Sequence, residues 1–389
     1  MTLKILVVDD EPDVPLLIRQ RFRKQIQEKH LEFRFAANGV EALATLEAEP
    51  DVDVVLSDIN MPEMDGLTLL GKVTDRGPMP KTVMVSAYGD MDNIRTAMNR
   101  GAFDFVTKPI DFNDLQATLD KTRSELAMLK QALRTRDELV GLHRELEIGA
   151  SIQRALLPKG PPPGVPEGRV GIFGTVVPAT EVGGDFYDYS MIDDHRLGFV
   201  VADVSGKGVG AAIYMAVSCT LLRAAALEGA PDAGACVARL NELLCLAADT
   251  GMFVTVCYGI LDLDTGAVDY ATAGHPPPFL ISASGVRALP KAAGSVVGMM
   301  DDLEFGGLKA TMAPGDALVL YSDGVNEAMN ASREEFTIAR TGEFLGTLPA
   351  GPAEDIASAL VAEVQRHAGG APQADDITVL VLRYNGAGR

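Results

Sequence analysis

Short apolar runs alternate with amphipathic stretches through the first 120 residues. Lys4–Val8, Phe33–Ala36, Val52–Ser57, Thr82–Ser86 and Asp104–Thr107 are rich in β-branched, aromatic and aliphatic residues and read as strands. Pro12–Gln27, Gly39–Glu47, Leu67–Thr74 and Met91–Asn99 keep the three-to-four spacing of helices with one apolar face. Strands alternating with helices predict an α/β doubly wound fold, a five-stranded parallel sheet covered on both faces.

From Phe112 to about Leu157 the pattern is helical throughout. Phe112, Leu115, Leu119, Thr122, Leu126, Leu129 and Leu133 form one stripe. The phase slips at Arg134–Asp137, and Leu139, Leu142, Leu146, Ile152 and Leu156 form a second. So narrow a stripe predicts a coiled coil, and with it a homodimer through the linker. A single amphipathic helix packed on its own domain fits the same spacing. The prolines and glycines of LLPKGPPPGVP end the helix. Beyond them, Gly171–Val176, Arg196–Val201, Thr255–Asp262, Val268–Ala273, Ala317–Tyr321 and Ile377–Leu382 read as strands. Gly210–Leu227, Ala233–Ala248 and Ala353–His367 read as helices. This grouping predicts an α+β domain. The expected division is 1–120, a helical coiled-coil linker and switch helix at 121–160, and a second domain at 161–389.

Composition narrows the function. A chain of 389 residues, 47% hydrophobic, has material for two cores and a connector. Its net charge of -20 argues against nonspecific nucleic-acid or anionic-membrane partners, which need basic surface. Cys219, Cys236, Cys245 and Cys257 show no CxxC spacing and read as buried thiols. The chain opens on a strand rather than a leader, and no uncharged run reaches the ~18 residues of a membrane span. A cytoplasmic protein is expected.

Candidate chemistry lies in acids at the ends of apolar runs. Asp9 and Asp10 end ILVV, Asp58 ends DVVLS, Ser86 follows MV, and Lys108 follows FVT. In a parallel sheet these ends share one rim, where ligands bind. In the second half Asp185, Asp203, Asp323 and the pair Asp375–Asp376 also close strand-like runs, beside glycine or a second acid. Gathered carboxylates repel unless cations lie between them, and Mg²⁺ or Mn²⁺ suits oxygen ligands. Two such ions can activate a water against a phosphate ester.

VVDDEPDV, LSDINMPEMDG, MVSAYGD and FVTKPID, in that order, resemble the receiver domain of two-component response regulators. The resemblance covers roughly residues 1–125. It implies a sensor histidine kinase as donor and Asp58 as phosphoacceptor. Asp9, Asp10, Asp58 and the Asn60 carbonyl would hold Mg²⁺, Ser86 and Lys108 would meet the phosphoryl group, and Phe105 would be the switch aromatic. Pro109 would follow a cis peptide.

IQRALLP, EVGGDFYD, VADVSGKGVGAA, TAGHPPP, LYSDGVNEA and ADDITVLVL resemble the PPM metal-dependent serine/threonine phosphatases, in the stage II sporulation branch. That resemblance covers about 145–389 and implies a β-sandwich flanked by helices. Asp185, Asp203 and the Val204 carbonyl would serve two Mn²⁺ or Mg²⁺ ions. Asp323 and Asp375 would hold the second ion, with Asp376 adjacent. The implied substrate is a phosphoserine or phosphothreonine on a partner protein, often an anti-anti-sigma factor. His275 and His195 read as packing and surface residues; for Lys207 and Glu181, site and surface roles stay open. Arg169 does not match the phosphate-binding arginine of classical members. Phosphorylation of Asp58 would act through the coil on the metal loops, with either sign. A signalling adaptor with a non-catalytic phosphatase-like domain is the alternative.

Overall fold

The computed structural model describes residues 2–386 except 78, 88, 89, 167, 248–250 and 293. The chain forms two compact units that meet between Val140 and Gly141, inside one long helix.

The first unit holds β1 (Leu3–Val8), α1 (Val14–Arg21), α2 (Arg23–Gln27), β2 (Leu31–Ala36), α3 (Gly39–Ala48), β3 (Val54–Asp58), α4 (Gly66–Thr74), β4 (Lys81–Ala87), α5 (Met91–Asn99) and β5 (Asp104–Lys108). The strands are parallel in the order β2-β1-β3-β4-β5. Leu3, Ile5 and Val7 pack into one core cluster, Leu6 and Val8 into another. Burial on both faces is why these strands are continuously apolar. The helix expected over Pro12–Gln27 is divided at Phe22, which is buried.

The long helix α6 runs unbroken from Phe112 to Leu156 through the phase slip. Leu115, Leu119 and Leu126 pack into the first unit's core. Lys130 Nζ lies 2.5 Å from the buried Asp53 carboxylate. The first stripe is thus largely covered by its own domain, contrary to the expectation that so long a helix needs a second copy there.

The second unit is a sandwich of two antiparallel five-stranded sheets. In chain order its elements are β6 (Val170–Val177), β7 (Phe186–Met191), β8 (Arg196–Val204), α7 (Val209–Leu227), α8 (Ala233–Ala247), β9 (Val254–Asp262), β10 (Ala267–Ala273), β11 (Phe279–Ser282), β12 (Gly285–Ala288), β13 (Leu308–Thr311), β14 (Ala317–Tyr321), α9 (Asp323–Asn326), α10 (Ile338–Thr347), α11 (Ala353–Ala368) and β15 (Ile377–Tyr384). The end of the helix expected over Ala233–Ala248, residue 248, lies outside the described residues. One sheet runs β13-β10-β9-β8-β7 and the other β12-β11-β14-β15-β6.

Phe199, Leu261 and Tyr270 from the first sheet meet Leu318, Leu380 and Leu382 from the second. Helices α7 and α8 cover one outer face with Met215, Leu222 and Leu240; α10 and α11 cover the other with Leu345, Ile356 and Leu360. Helix α7 is long and apolar enough to cross a bilayer, with a mean hydropathy of 1.6. Its Tyr214, Met215, Cys219 and Leu222 pack on the sheet as those of a core helix do.

Candidate metal centres

Register brings the first unit's candidates to one rim. Ser57 pairs with Val8, Asp58 with Val85, and Ala87 with Lys108, so the carboxyl ends of four strands align. Asp9, Asp10 and Asp58 each offer an oxygen, all within 4.8 Å of one another. Lys108 Nζ lies 2.8 Å from Asp58 Oδ2, 3.1 Å from Asp9 Oδ2 and 3.0 Å from Glu11 Oε1. Burial opposes the lysine charge, but these acids outweigh it and raise its pKa. Burial also raises the Asp9 carboxyl, against the Glu11 N–H and Lys108.

The Lys108–Pro109 peptide is cis. Ser86 Oγ is buried with no hydrogen-bond partner among the described residues. Asn60 occupies an exposed bend, and Phe105 is 36% exposed. Gly66 is demanded by close approach: a Cβ there would meet the Asp58 carbonyl oxygen at 2.0 Å. The trio of acids fits one hard cation, whose charge would replace part of what Lys108 now supplies.

In the second unit, acids far apart in sequence line one edge of the sandwich. Asp185 precedes β7, Asp203 and Val204 end β8, Asp323 starts α9, and Asp375 and Asp376 precede β15. Asp185 is fully buried; desolvation first, then Asp203 beside it, push its carboxyl well above the ordinary range. Burial, then Asp323, raises Asp203; burial, then Asp375, raises Asp323. Among the described residues none of these three has an ion-pair partner, whereas Lys207 Nζ lies 3.1 Å from Asp375 Oδ2.

No three of these acids bring oxygens within 4.8 Å together among the described residues. Like-charge repulsion links Asp185 to Asp203 and Asp376, and Asp203 to Asp323, Asp375 and Asp376, so the acids form one group. Buried or half-buried carboxylates with raised pKa values and no ion-pair partner among the described residues fit divalent cations.

The backbone around them is close-fitting. A Cβ on Gly183 would meet Asp376 Oδ2 at 1.8 Å, and one on Gly184 the Val204 carbonyl oxygen at 2.7 Å. Asp376 Oδ1 accepts from the Ala179 N–H at 2.8 Å. That carboxylate is thereby engaged in fastening a loop, while the Asp375 carboxylate lies half-exposed at the edge.

His275 is wholly buried, its Nδ1 2.8 Å from Thr255 Oγ1 and its pKa lowered by burial to about 3. His195 and Arg169 both pair with Asp264 at the surface. Glu181 Oε1 lies 3.7 Å from His143 on α6. Sequence reasoning missed Thr378, whose Oγ1 donates to Asp185 Oδ2 at 2.6 Å, and Gln153, which bonds to Gly183. Thr378 was readable in principle, two residues past Asp376 in ADDIT, and Gln153 lies within IQRALLP, where no neighbour in sequence marks its contact with Gly183.

An acidic rim on a doubly wound sheet, followed by a helix-flanked sandwich edged with carboxylates, defines a receiver joined to a PP2C-like domain. Residues 5–120 match the family model of the response regulator receiver domain, and residues 193–385 that of stage II sporulation protein E. The chain belongs to both families: a receiver domain fused to a phosphatase domain of the stage II sporulation protein E type.

Protein IcfG of Synechocystis is 31% identical over 63% of this chain and 42% of its own length. Phosphoserine phosphatase RsbU of Bacillus subtilis is 31% identical over 47% of this chain and 53% of its own. The chain therefore spans about half the length of these curated relatives. The RsbU and RsbW domains of Rv1364c from Mycobacterium tuberculosis superpose with a TM-score of 0.51 at 26% identity, covering 57% of this chain and 61% of that one. The SiaA PP2C domain of Pseudomonas aeruginosa shares the fold, with a TM-score of 0.56 at 23% identity, over 64% of this chain and 98% of that one.

Proposed function

We propose that this protein is a response regulator whose output is metal-dependent dephosphorylation of phosphoserine or phosphothreonine on a partner protein. One observation carries the reading: carboxyls from four separate stretches of sequence converge on one edge of the sandwich, Asp185 buried, Asp203 and Asp323 half-buried, and these three without an ion-pair partner among the described residues. Asp185, Asp203, the Val204 carbonyl, Asp323 and Asp375 hold two Mn²⁺ or Mg²⁺ ions, with Asp376 fastening the adjacent loop. Bound there, the ions supply charge neutralisation and an acidic water for attack on phosphorus. Thr378 and the glycines Gly183 and Gly184 orient the acids. The phosphoserine phosphatase name of the relative RsbU supports the substrate class, and the family resemblance supports an anti-anti-sigma factor as the partner.

At the other end, Asp58 accepts a phosphoryl group from a sensor histidine kinase. Asp9, Asp10, Asp58 and the Asn60 carbonyl hold Mg²⁺, Lys108 pairs with the phosphoryl oxygens, and Ser86, with its free hydroxyl, donates to them. Phe105 is the aromatic that responds. Phosphorylation controls the phosphatase through α6, in a cytoplasmic homodimer joined by the exposed part of that helix.

Mn²⁺-dependent hydrolysis of p-nitrophenyl phosphate and of a phosphoserine protein tests the output. Activity no higher than that of Asp203→Ala favours the non-catalytic adaptor. Rates of wild type, Asp58→Asn and a beryllofluoride-treated sample test the control; identical rates in all three end it.

A further inference from the structure

A pocket of 310 Å³ adjoins the C-terminal metal centre. Asp375 and Gly324, the neighbour of Asp323, form its near wall. Ala328, Met329, Val364, Ala368, Pro372 and Ile377 make the rest largely apolar. That volume lies at the lower end for ligand pockets, enough for one long side chain.

The charges around the pocket share one sign. Glu327, at the mouth, follows Asp323 by one turn of α9: its N–H donates to the Asp323 carbonyl at 2.8 Å, so both carboxylates leave the same face. The last turn of α11 supplies Val364, Gln365 and Ala368, and a helix C-terminus carries partial negative charge. Arg366 of that turn is held by Glu363, and His367 turns to the Glu334 carbonyl. No cationic side chain lines the pocket among the described residues.

Lys207 reaches Asp375 from outside, and two metal ions would offset Asp323 and Asp375. Neither answers Glu327. It has no ion-pair partner among the described residues, and burial, then Asp323, Glu335 and Asp375, raises its carboxyl. Apolar walls below a negative mouth match a long aliphatic stem tipped by a cation, the chemistry of lysine and arginine.

We propose that this pocket is a substrate subsite: it takes the side chain of a lysine or arginine beside the phosphorylated residue of the partner protein, with Glu327 as the specificity-determining contact. This rests on the reading of the C-terminal domain as a phosphatase. Asp375 belongs to both the pocket and the metal centre, so the basic residue stands within about three positions of the phosphorylated one in an extended chain.

The test uses the full chain and phosphoserine heptapeptides with one lysine at each position around the phosphoserine. The same peptides carry norleucine or alanine there instead. Norleucine keeps the stem without the charge; alanine removes both. At saturating Mn²⁺ and low salt, wild type should favour lysine over norleucine by about tenfold in kcat/KM at one position or more, and norleucine over alanine by a smaller factor. Glu327→Gln should lose the first preference and keep the second. Glu327→Lys should prefer glutamate at that position. Each comparison is a ratio within one protein, so any change in ion affinity cancels. p-Nitrophenyl phosphate offers the pocket no side chain, and all three proteins should turn it over at similar rates.

A wild type that hydrolyses p-nitrophenyl phosphate but treats lysine, norleucine and alanine alike overturns the subsite. So does a lysine preference that survives in both Glu327 variants, since the charge would then be read elsewhere. A folded wild type that hydrolyses neither p-nitrophenyl phosphate nor any peptide with Mn²⁺ overturns the phosphatase reading beneath the proposal, a result separate from either.

Discussion

Thr378 Oγ1 donates to Asp185 Oδ2 at 2.6 Å, tying β15 of one sheet to the acidic loop at the edge of the other. Both residues are buried, so the bond is undiluted by water. A hydrogen bond to a charged group contributes about 1.5–3 kcal/mol, and it also fixes which oxygen of Asp185 faces the site. Thr378→Val keeps the shape and removes the donor. The Mn²⁺ concentration for half-maximal p-nitrophenyl phosphate hydrolysis should rise by about tenfold or more. An unchanged metal titration would show that Asp185 needs no such orientation.

Stability and function should oppose each other at Asp203. Its carboxyl is raised by burial and then by Asp323, with no cation paired to it among the described residues. Asp203→Asn removes that repulsion at nearly constant volume. In chelator the variant should melt higher than wild type, by about 2–4 °C for each kcal/mol relieved. The same substitution should erase the Mn²⁺-induced rise in melting temperature and the hydrolysis. Scanning calorimetry with and without Mn²⁺ decides it; a lower melting temperature in chelator would mean the acid serves the fold rather than the ions.

The first unit was legible because its signal is strong and local. Five β-rich runs buried on both faces leave few ways to fold, and the polar residues ending them could only reach one rim. In the second unit, long strands such as β9 and β15 stood out, while four were missed. Strand β7 carries Asp188, a buried acid whose charge is met by Arg223 Nη2 2.8 Å away on α7. Strands β11, β12 and β13 have four residues each, too few for a period to show. The acids were found because glycines and paired charges flag them. Thr378 and Gln153 act across 193 and 30 residues of chain, and no local pattern encodes such reach. Sequence spacing predicts a seam along α6 but does not say which surface it covers, and the first stripe, packed on its own domain, has the same spacing as one that meets a partner.

Gly66 should be as necessary to the receiver as the acids. It opens α4 behind the Asp65 cap, against the Asp58 carbonyl oxygen. Gly66→Ala must push that loop aside, since 2.0 Å leaves no room for a methyl group. A misplacement of ~1 Å can cost about a hundredfold in rate. Phosphorylation by acetyl phosphate, followed by intact mass, should slow by at least tenfold on that basis. Asp58→Asn should show no uptake at all. Wild-type kinetics in Gly66→Ala would mean that the loop yields without moving Asp58.

His275 predicts a pH dependence. Its folded pKa is lowered by burial to about 3 from an ordinary 6.5. Between those values the unfolded chain binds a proton that the folded chain does not. Stability from this group is therefore complete above about pH 6.5 and is lost as pH falls toward 3. From pH 7 to pH 5 the loss is about 2 kcal/mol. In His275→Asn, which cannot titrate, the urea stability difference between those two pH values should shrink by about that amount. An equal difference in both proteins would place the acid sensitivity elsewhere.

The exposed half of α6 is where a second copy would be needed. Beyond Leu126 few of its residues are buried, yet Leu139, Leu142 and Ile152 are 62%, 55% and 61% exposed at helical spacing. Most helical stability in proteins comes from packing an apolar face rather than from propensity, so an unpartnered segment is weakly held. Pairing with the same segment of another chain would bury the leucines and explain why the helix persists through the polar RTRD stretch. Leu139→Glu and Leu142→Glu, made separately, place like charges across such a seam. Light scattering should then report dimers for wild type and monomers for each variant at micromolar concentration, with phosphorylation of Asp58 unaffected. Monomeric wild type refutes the pairing outright. Dimeric variants would move the seam to another face, and control of the phosphatase would then have to pass through something other than the exposed stripe of α6.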